Sequence, residues 1–261
     1  MAGHKPNILG INVDAVSLDD AAAILSNLVT RGRREGREGR QRGKGYHVVT
    51  LNPEMIYASQ RDSQLREAIN DADLVVADGI GVVWAAGTLG ETLKGRVPGI
   101  DLVERLFEGG DAADLENGLR VFLLGARPES VAAAVRRIDQ AYPGVTVVGY
   151  HHGYFSPDDD EAIVAAINKA EPDLLLVGLG APKQEFWIRA HIEQLRVGVS
   201  VGIGGAFDIW SGIARRAPQW AQALHLEWLY RLVSEPRRFR RQMVLPKFIL
   251  LVLRRRLWRS Q

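Results

Sequence analysis

Short uninterrupted runs of Val, Ile and Leu recur along the chain, and a longer segment of helical periodicity follows most of them. A strand with one wet face alternates apolar and polar residues, whereas a continuous apolar run needs cover on both faces. Strands of that kind alternating with helices imply a largely parallel sheet between two helical layers. The strands are expected at Asn7–Val13, Tyr46–Leu51, Asp73–Ala77, Leu119–Leu124, Val145–Tyr150, Asp173–Val177 and Val197–Ile203. Ser17 is placed to cap a helix from Leu18 to about Thr30, with Asp19 and Asp20 in its first turn. Further helices are expected from Pro53, over Pro128–Tyr142, near Asp158–Lys169 and over Pro182–Leu195. The Gly- and Arg-rich stretch Arg31–Gly45 has no apolar anchor and reads as a mobile solvated loop. The fold class expected is α/β, a mostly parallel, Rossmann-like sheet flanked by helices. A catalytic domain over residues 1–225 is followed by a basic helical appendage over 226–261.

In such sheets ligands bind beyond the carboxyl ends of the strands, so the residues that follow each run carry the functional information. They are Thr50-Leu51-Asn52-Pro53-Glu54, Asp78-Gly79-Ile80-Gly81, Gly125-Ala126-Arg127, His151 to Phe155, Gly178 to Glu185, and Gly202 to Asp208. Glycines let backbone N–H groups approach a phosphate, and helix N-termini favour anions. Gly125, Gly178 to Gly180 and Gly202 to Gly205 can form such a surface, or serve tight turns alone. No GxGxxG follows the first strand and no GxxxxGK[ST] is present. Asp78 is suited to take a proton from a sugar hydroxyl; it is equally suited to cap a helix. Arg96, in a turn stiffened by Pro98 and Gly99, is either a fork for a pyrophosphate or a surface arginine. Lys183, Gln184 and Glu185 place a cation, an amide and a carboxylate at a helix N-terminus, where Gln184 can hydrogen-bond a sugar or phosphate.

The 261-residue chain has no cysteine, which excludes a disulfide scaffold, a thiol nucleophile and thiolate metal sites. Its histidines show no HExxH; His151 and His152 are adjacent, so on a strand they would point to opposite faces. Asp71-Ala72-Asp73 has the form of a DxD metal motif but precedes its strand, which makes it a helix-to-strand turn. No metal is expected. The net charge of +2 hides an asymmetry: Arg237 to Gln261 holds nine basic residues and no acid, against 24 basic and 31 acidic in the remainder. That tail suggests an anionic partner, whether a membrane, a nucleic acid or a phosphorylated substrate, the alternative being an ordinary helix with a solvated basic face. Arginines flanking Phe248–Leu253, with Trp258 beyond, suit a helix lying in lipid headgroups. Glu227 to Leu232 reads as a further amphipathic helix. Aromatic residues are few and no nucleic-acid reader motif is present, so no nucleic-acid partner is expected. The first ten residues lack the apolar core of a signal peptide, and no run reaches the ~20 apolar residues of a spanning helix.

Thr50 to Glu54, Ala77 to Gly81, Arg96 to Asp101, Gly153-Tyr154-Phe155, Gly178 to Glu185, Gly204 to Asp208, Arg216-Ala217-Pro218 and Glu227 to Leu232, in that order, resemble the motifs of the WecG/TagA/CpsF family of bacterial glycosyltransferases. The resemblance runs from Ile8 to about Arg241; the Arg31–Gly45 insertion and the end beyond Pro246 depart from it. It implies an inverting, metal-independent transfer from a UDP-sugar to an undecaprenyl-diphosphate-linked acceptor in surface polysaccharide synthesis, with N-acetylmannosamine, its uronic acid or glucose as the sugar. On this implication Asp78 is the base, Thr50 and Asn52 position sugar or acceptor groups, and Arg96 and Gln184 hold the donor or the reacting sugar. Gly125, Gly180, Lys183 and Asp208 would contact substrate. Arg231, Arg238 and Arg241 would close over the departing diphosphate in place of a metal. The expected location is cytoplasmic, peripheral on the inner face of the membrane, with homo-oligomerisation left open. Two rival readings remain at this point: another nucleotide-binding α/β enzyme such as a dehydrogenase, and a non-catalytic membrane-associated partner in a polysaccharide assembly complex.

Overall fold

A computed structural model describes residues 5–37, 45–109, 118–218, 221, 230 and 243–259. Six parallel strands form the central sheet: β3 (Tyr46–Leu51), β4 (Leu74–Ala77), β5 (Leu119–Gly125), β6 (Val145–His151), β7 (Leu174–Gly178) and β8 (Val199–Gly202). Their spatial order is β4-β3-β8-β7-β5-β6, all pairs parallel. Each run expected to be a sheet strand pairs in the sheet except the first. Asn7–Val13 is instead a small antiparallel hairpin, β1 (Asn7–Ile8) and β2 (Ile11–Asn12). Leu9 and Gly10 turn the chain with φ of 54° and 90°, and the Asn7 side chain accepts the Gly10 N–H at 3.0 Å.

Helices cover both faces. One carries α1 (Leu18–Arg37), α5 (Gly99–Glu108), α6 (Pro128–Ala141) and α9 (Ala206–Trp210). On the other, α2 (Pro53–Ser59), α3 (Ser63–Asn70), α4 (Ile80–Thr88) and α10 (Val244–Arg259) share one apolar cluster with the hairpin, β3 and β4. Beside them α7 (Asp160–Ala170) and α8 (Lys183–His191) pack against β5 and β7. The edge strand β6 exposes Thr146 and Tyr150, but the interiors of the other five strands are largely buried; Leu174, Leu175, Leu176 and Val177 are all fully inaccessible. That two-sided burial is the physical reason for their unbroken apolar pattern.

Arg31–Gly45 departs from its expectation. Helix α1 begins as expected, with Ser17 and Asp20 exchanging backbone–side-chain hydrogen bonds in a capping box. It then continues to Arg37 instead of stopping near Thr30. Its anchor there is not apolar. Gly32 is buried so closely against Gly198 that a Cβ would lie 2.5 Å from the Gly198 Cα. Arg33 reaches across to grip the buried Asp173, Nε to Oδ1 at 2.9 Å and Nη2 to Oδ2 at 2.5 Å. Residues 38–44 lie outside the described residues.

At the far end, α10 buries Phe248 and Val252, one helical turn apart, against the cluster of α2 and α4. Ile249, Leu250, Leu253, Leu257 and Trp258 are exposed on the same helix, interleaved with exposed Lys247, Arg254 and Arg255. Among the described residues no helix is long and apolar enough to cross a membrane.

Candidate active site

Backbone hydrogen bonds gather the expected residues at the carboxyl edge of β3, β4, β8 and β7, four strand ends spread over roughly 15 Å at the usual sheet spacing. The Asp78 N–H donates to the Leu51 carbonyl at 2.8 Å, which sets Asp78 beside Asn52. The Val97 N–H donates to the Ala77 carbonyl at 2.7 Å, which brings the Arg96 turn alongside. Asp78 and Arg96 are both half-buried. Gly79 occupies the N-cap of α4, so Asp78 sits one position too early to be the cap. Asp73, by contrast, stands at the opposite edge, where its Oδ2 accepts the His47 N–H at 2.8 Å; the DxD-like segment is a helix-to-strand turn.

Thr50 and Asn52 have defined local duties. The Asn52 Oδ1 accepts the Met55 N–H at 3.0 Å and caps α2, while among the described residues its amide nitrogen meets no acceptor. Thr50 is 4% exposed, and its hydroxyl donates to the Gly202 carbonyl at 2.7 Å. The first residue of α5 lies directly on it: a Cβ at Gly99 would be 2.8 Å from Thr50 Cγ2. Thr50 thus fastens β3, the end of β8 and the start of α5 together.

Gln184 does not project into the open edge. It is 2% exposed. Its Oε1 accepts the N–H groups of Gly180 at 3.2 Å and Gly204 at 3.1 Å. Its Nε2 donates to Glu185 Oε1 at 2.9 Å. The amide therefore braces the loops after β7 and β8 against each other, with both of its ends engaged within the protein rather than facing the open edge. Glu185 is fully inaccessible, its Oε2 has no hydrogen-bond partner among the described residues, and burial pushes its carboxyl up to about 7.

The glycines divide in the same way. Gly125, expected to face a phosphate, is buried; a Cβ there would lie 2.4 Å from the Gly178 carbonyl carbon. It allows two strand ends to touch and offers no surface to a ligand. Gly180, with φ of 78°, faces open space, although its N–H is held by Gln184. Lys183 opens α8 and is exposed, its ammonium 5.0 Å from the Phe155 ring centroid. Asp208 is half-buried in the first turn of α9. Arg231, Arg238 and Arg241 lie outside the described residues, as does the segment from Glu227 to Leu229.

The residue reading gave no role to the end of β6. Here His151, His152, Tyr154, Phe155, Asp159 and Ile163 line an open pocket of about 270 Å³. The two histidines do not diverge as strand neighbours would. The strand ends at His151, and the rings lie 4.6 Å apart at 52°. Tyr154 is 67% exposed, an unusual position for a large ring. The Gly153-Tyr154-Phe155 motif was the available signal, but nothing in its spacing says that it lines a pocket.

Comparison with known proteins identifies the family. Residues 6–261 match the Glycosyl transferase WecG/TagA/CpsF family. The chain is 36% identical over 211 residues to an N-acetylglucosaminyldiphosphoundecaprenol N-acetyl-beta-D-mannosaminyltransferase of Bacillus spizizenii, covering 81% of this chain and 80% of that protein. It is 34% identical over 210 residues to the protein of the same name from Bacillus subtilis strain 168, covering 80% of each. With the namesake from Staphylococcus aureus strain MW2 it shares 35% over 246 residues, 94% of this chain and 91% of that protein. Of the three readings left open by the sequence, the match selects glycosyl transfer: the chain belongs to the WecG/TagA/CpsF family and is a glycosyltransferase.

Proposed function

We propose that this enzyme transfers an N-acetylmannosaminyl residue from UDP to the N-acetylglucosamine of an undecaprenyl-diphosphate-linked acceptor, with inversion at the anomeric carbon. The acceptor and the sugar are those in the names of the relatives. The observation that carries the mechanism is the position of Asp78, a half-buried carboxyl at the sheet edge, excluded from the helix cap by Gly79 and flanked by Asn52 and the Arg96 turn.

Asp78 takes the proton from the acceptor hydroxyl as its oxygen attacks the anomeric carbon. The bond from that carbon to the diphosphate oxygen breaks, and its electron pair leaves with UDP. Negative charge grows on the diphosphate, and Arg96 with Arg231, Arg238 and Arg241 neutralises it without a divalent ion. The nucleoside end of the donor lies toward β6, where the ring of Tyr154 and the apolar wall of the pocket offer a stacking surface and Lys183 a cation. The C-terminal helix brings the body to the inner surface of the membrane, with Leu250, Leu257 and Trp258 toward lipid and Arg254 and Arg255 toward anionic headgroups.

The test is incubation of the full chain with a short-chain polyprenyl-diphosphate-GlcNAc and a panel of UDP-sugars in EDTA, following UDP release and product mass. The expected outcome is addition of one N-acetylhexosamine from UDP-N-acetylmannosamine. Transfer of glucose or of a uronic acid alone would replace the sugar assignment. Activity that requires added divalent metal would overturn the role given to the arginines.

A further inference from the structure

We infer that Glu185 is a positioning residue of the active site, acting through Gln184 to set the two glycine loops that border it. The inference goes beyond the proposed reaction, which gives Glu185 no part.

The side chain of Gln184 has two ends, and only one orientation places its oxygen where Gly180 and Gly204 both donate to it. Reversed, it would set an amide N–H₂ against two backbone N–H groups. What selects the observed orientation is the neighbour at the other end, because Glu185 Oε1 accepts from Nε2 at 2.9 Å. The pair also lies hard against β8: a Cβ at Gly202 would be 2.6 Å from Gln184 Nε2 and 3.2 Å from Glu185 Oε1. From Gly202 the connection continues through its carbonyl to the Thr50 hydroxyl and through the Thr50 methyl to Gly99 at the head of α5. One buried carboxyl thus stands at the root of contacts that reach the loops after β7 and β8, the end of β3 and the turn carrying Arg96.

Stability alone does not account for an acid at this position. Its second oxygen is buried without a partner among the described residues, an arrangement that opposes folding. A methionine of similar length would remove that cost and fill the space. Local strain of this kind, retained where it orders a site, is a sign of function.

The inference is tested with Glu185→Met, Glu185→Asp and Glu185→Gln in the full-length enzyme, by amide hydrogen exchange at Gly180 and Gly204 and by steady-state kinetics. Glu185→Met should melt no lower than the parent. Yet it should exchange both glycine amides at least tenfold faster and raise the donor KM about tenfold, with a smaller change in kcat. Glu185→Asp withdraws the carboxyl from Gln184 by about one bond length and should do the same if the methionine variant does not fold. Glu185→Gln keeps an acceptor oxygen and should restore slow exchange and a KM within about threefold of the parent. Unchanged glycine exchange in folded Glu185→Met or Glu185→Asp overturns the inference whatever the activity. So does a KM that rises only in proportion to lost stability. The exchange arm needs no substrate, so failure of UDP-N-acetylmannosamine as donor leaves it intact.

Discussion

The two edges of the sheet both contain a buried carboxyl, and they treat it in opposite ways. At the amino edge Asp173 is saturated: Arg33 forks onto both oxygens, the Arg120 N–H adds a third hydrogen bond at 3.0 Å, and Arg33 also donates to the Gly118 carbonyl at 2.7 Å. At the carboxyl edge Glu185 has one bonded oxygen and one without a partner among the described residues. The glycines follow the same division. Gly32 and Gly198 close the amino edge by backbone contact, whereas Gly180 and Gly204 face open space at the other. At the amino edge the carboxyl that ties α1 to the sheet has both oxygens bonded. The carboxyl edge, where the proposed site lies, leaves one buried carboxyl oxygen without a partner among the described residues.

The largest expected effects should separate the two edges. Asp173→Ala leaves the Arg33 charge buried without its partner and should cost about 4 kcal/mol in urea unfolding, with kcat and KM of the folded fraction unchanged. Asp78→Asn should do the reverse, lowering kcat about a thousandfold with no fall in the urea midpoint. If Asp173→Ala altered the kinetics of folded enzyme, the division between the edges would fail.

A second contrast is in pH. The carboxyl of Glu185 is raised from 4.5 to about 7 by burial, so between those values the folded state keeps a proton that the unfolded chain has lost. Stability should therefore fall as pH rises from about 4.5 to about 7, by roughly 3 kcal/mol in total, and change no further from this group above that. Unfolding free energies at pH 5 and pH 7.5 should show most of that loss in the parent and its absence in Glu185→Gln.

The smallest effects concern the glycines. Gly32→Ala forces a methyl against Gly198 and should cost about 2 kcal/mol with kinetics intact. Gly180→Ala meets no atom within 4 Å but strains a φ of 78°. It should cost about 1 kcal/mol and raise the donor KM more than Gly32→Ala does. Equal kinetic effects would blur the comparison.

The same division explains what could be read from the sequence. The sheet was legible because burial on two faces writes itself as unbroken apolar runs, and the gathering of Thr50, Asn52, Asp78 and Arg96 at one edge was legible because each follows or adjoins the carboxyl end of such a strand. The continuation of α1 was not. Its anchor is one arginine and one glycine whose partners, Asp173 and Gly198, lie more than a hundred residues away, and no local pattern announces such a pair. Gln184 was identified as a polar residue at the edge, but whether its amide faces outward or inward depends on Glu185 and on two glycine amides from different loops. Gly125 was ambiguous for a related reason: a glycine that admits a ligand and one that admits a neighbouring backbone have the same local sequence.

The division of α10 between buried Phe248 and Val252 and exposed Leu250, Leu257 and Trp258 has a geometric consequence. A helix keyed into the body by two side chains on successive turns cannot swivel about its own axis. Any surface that receives its outer side therefore receives the whole molecule in one attitude. The height of Asp78 above that surface is then a fixed dimension of the protein.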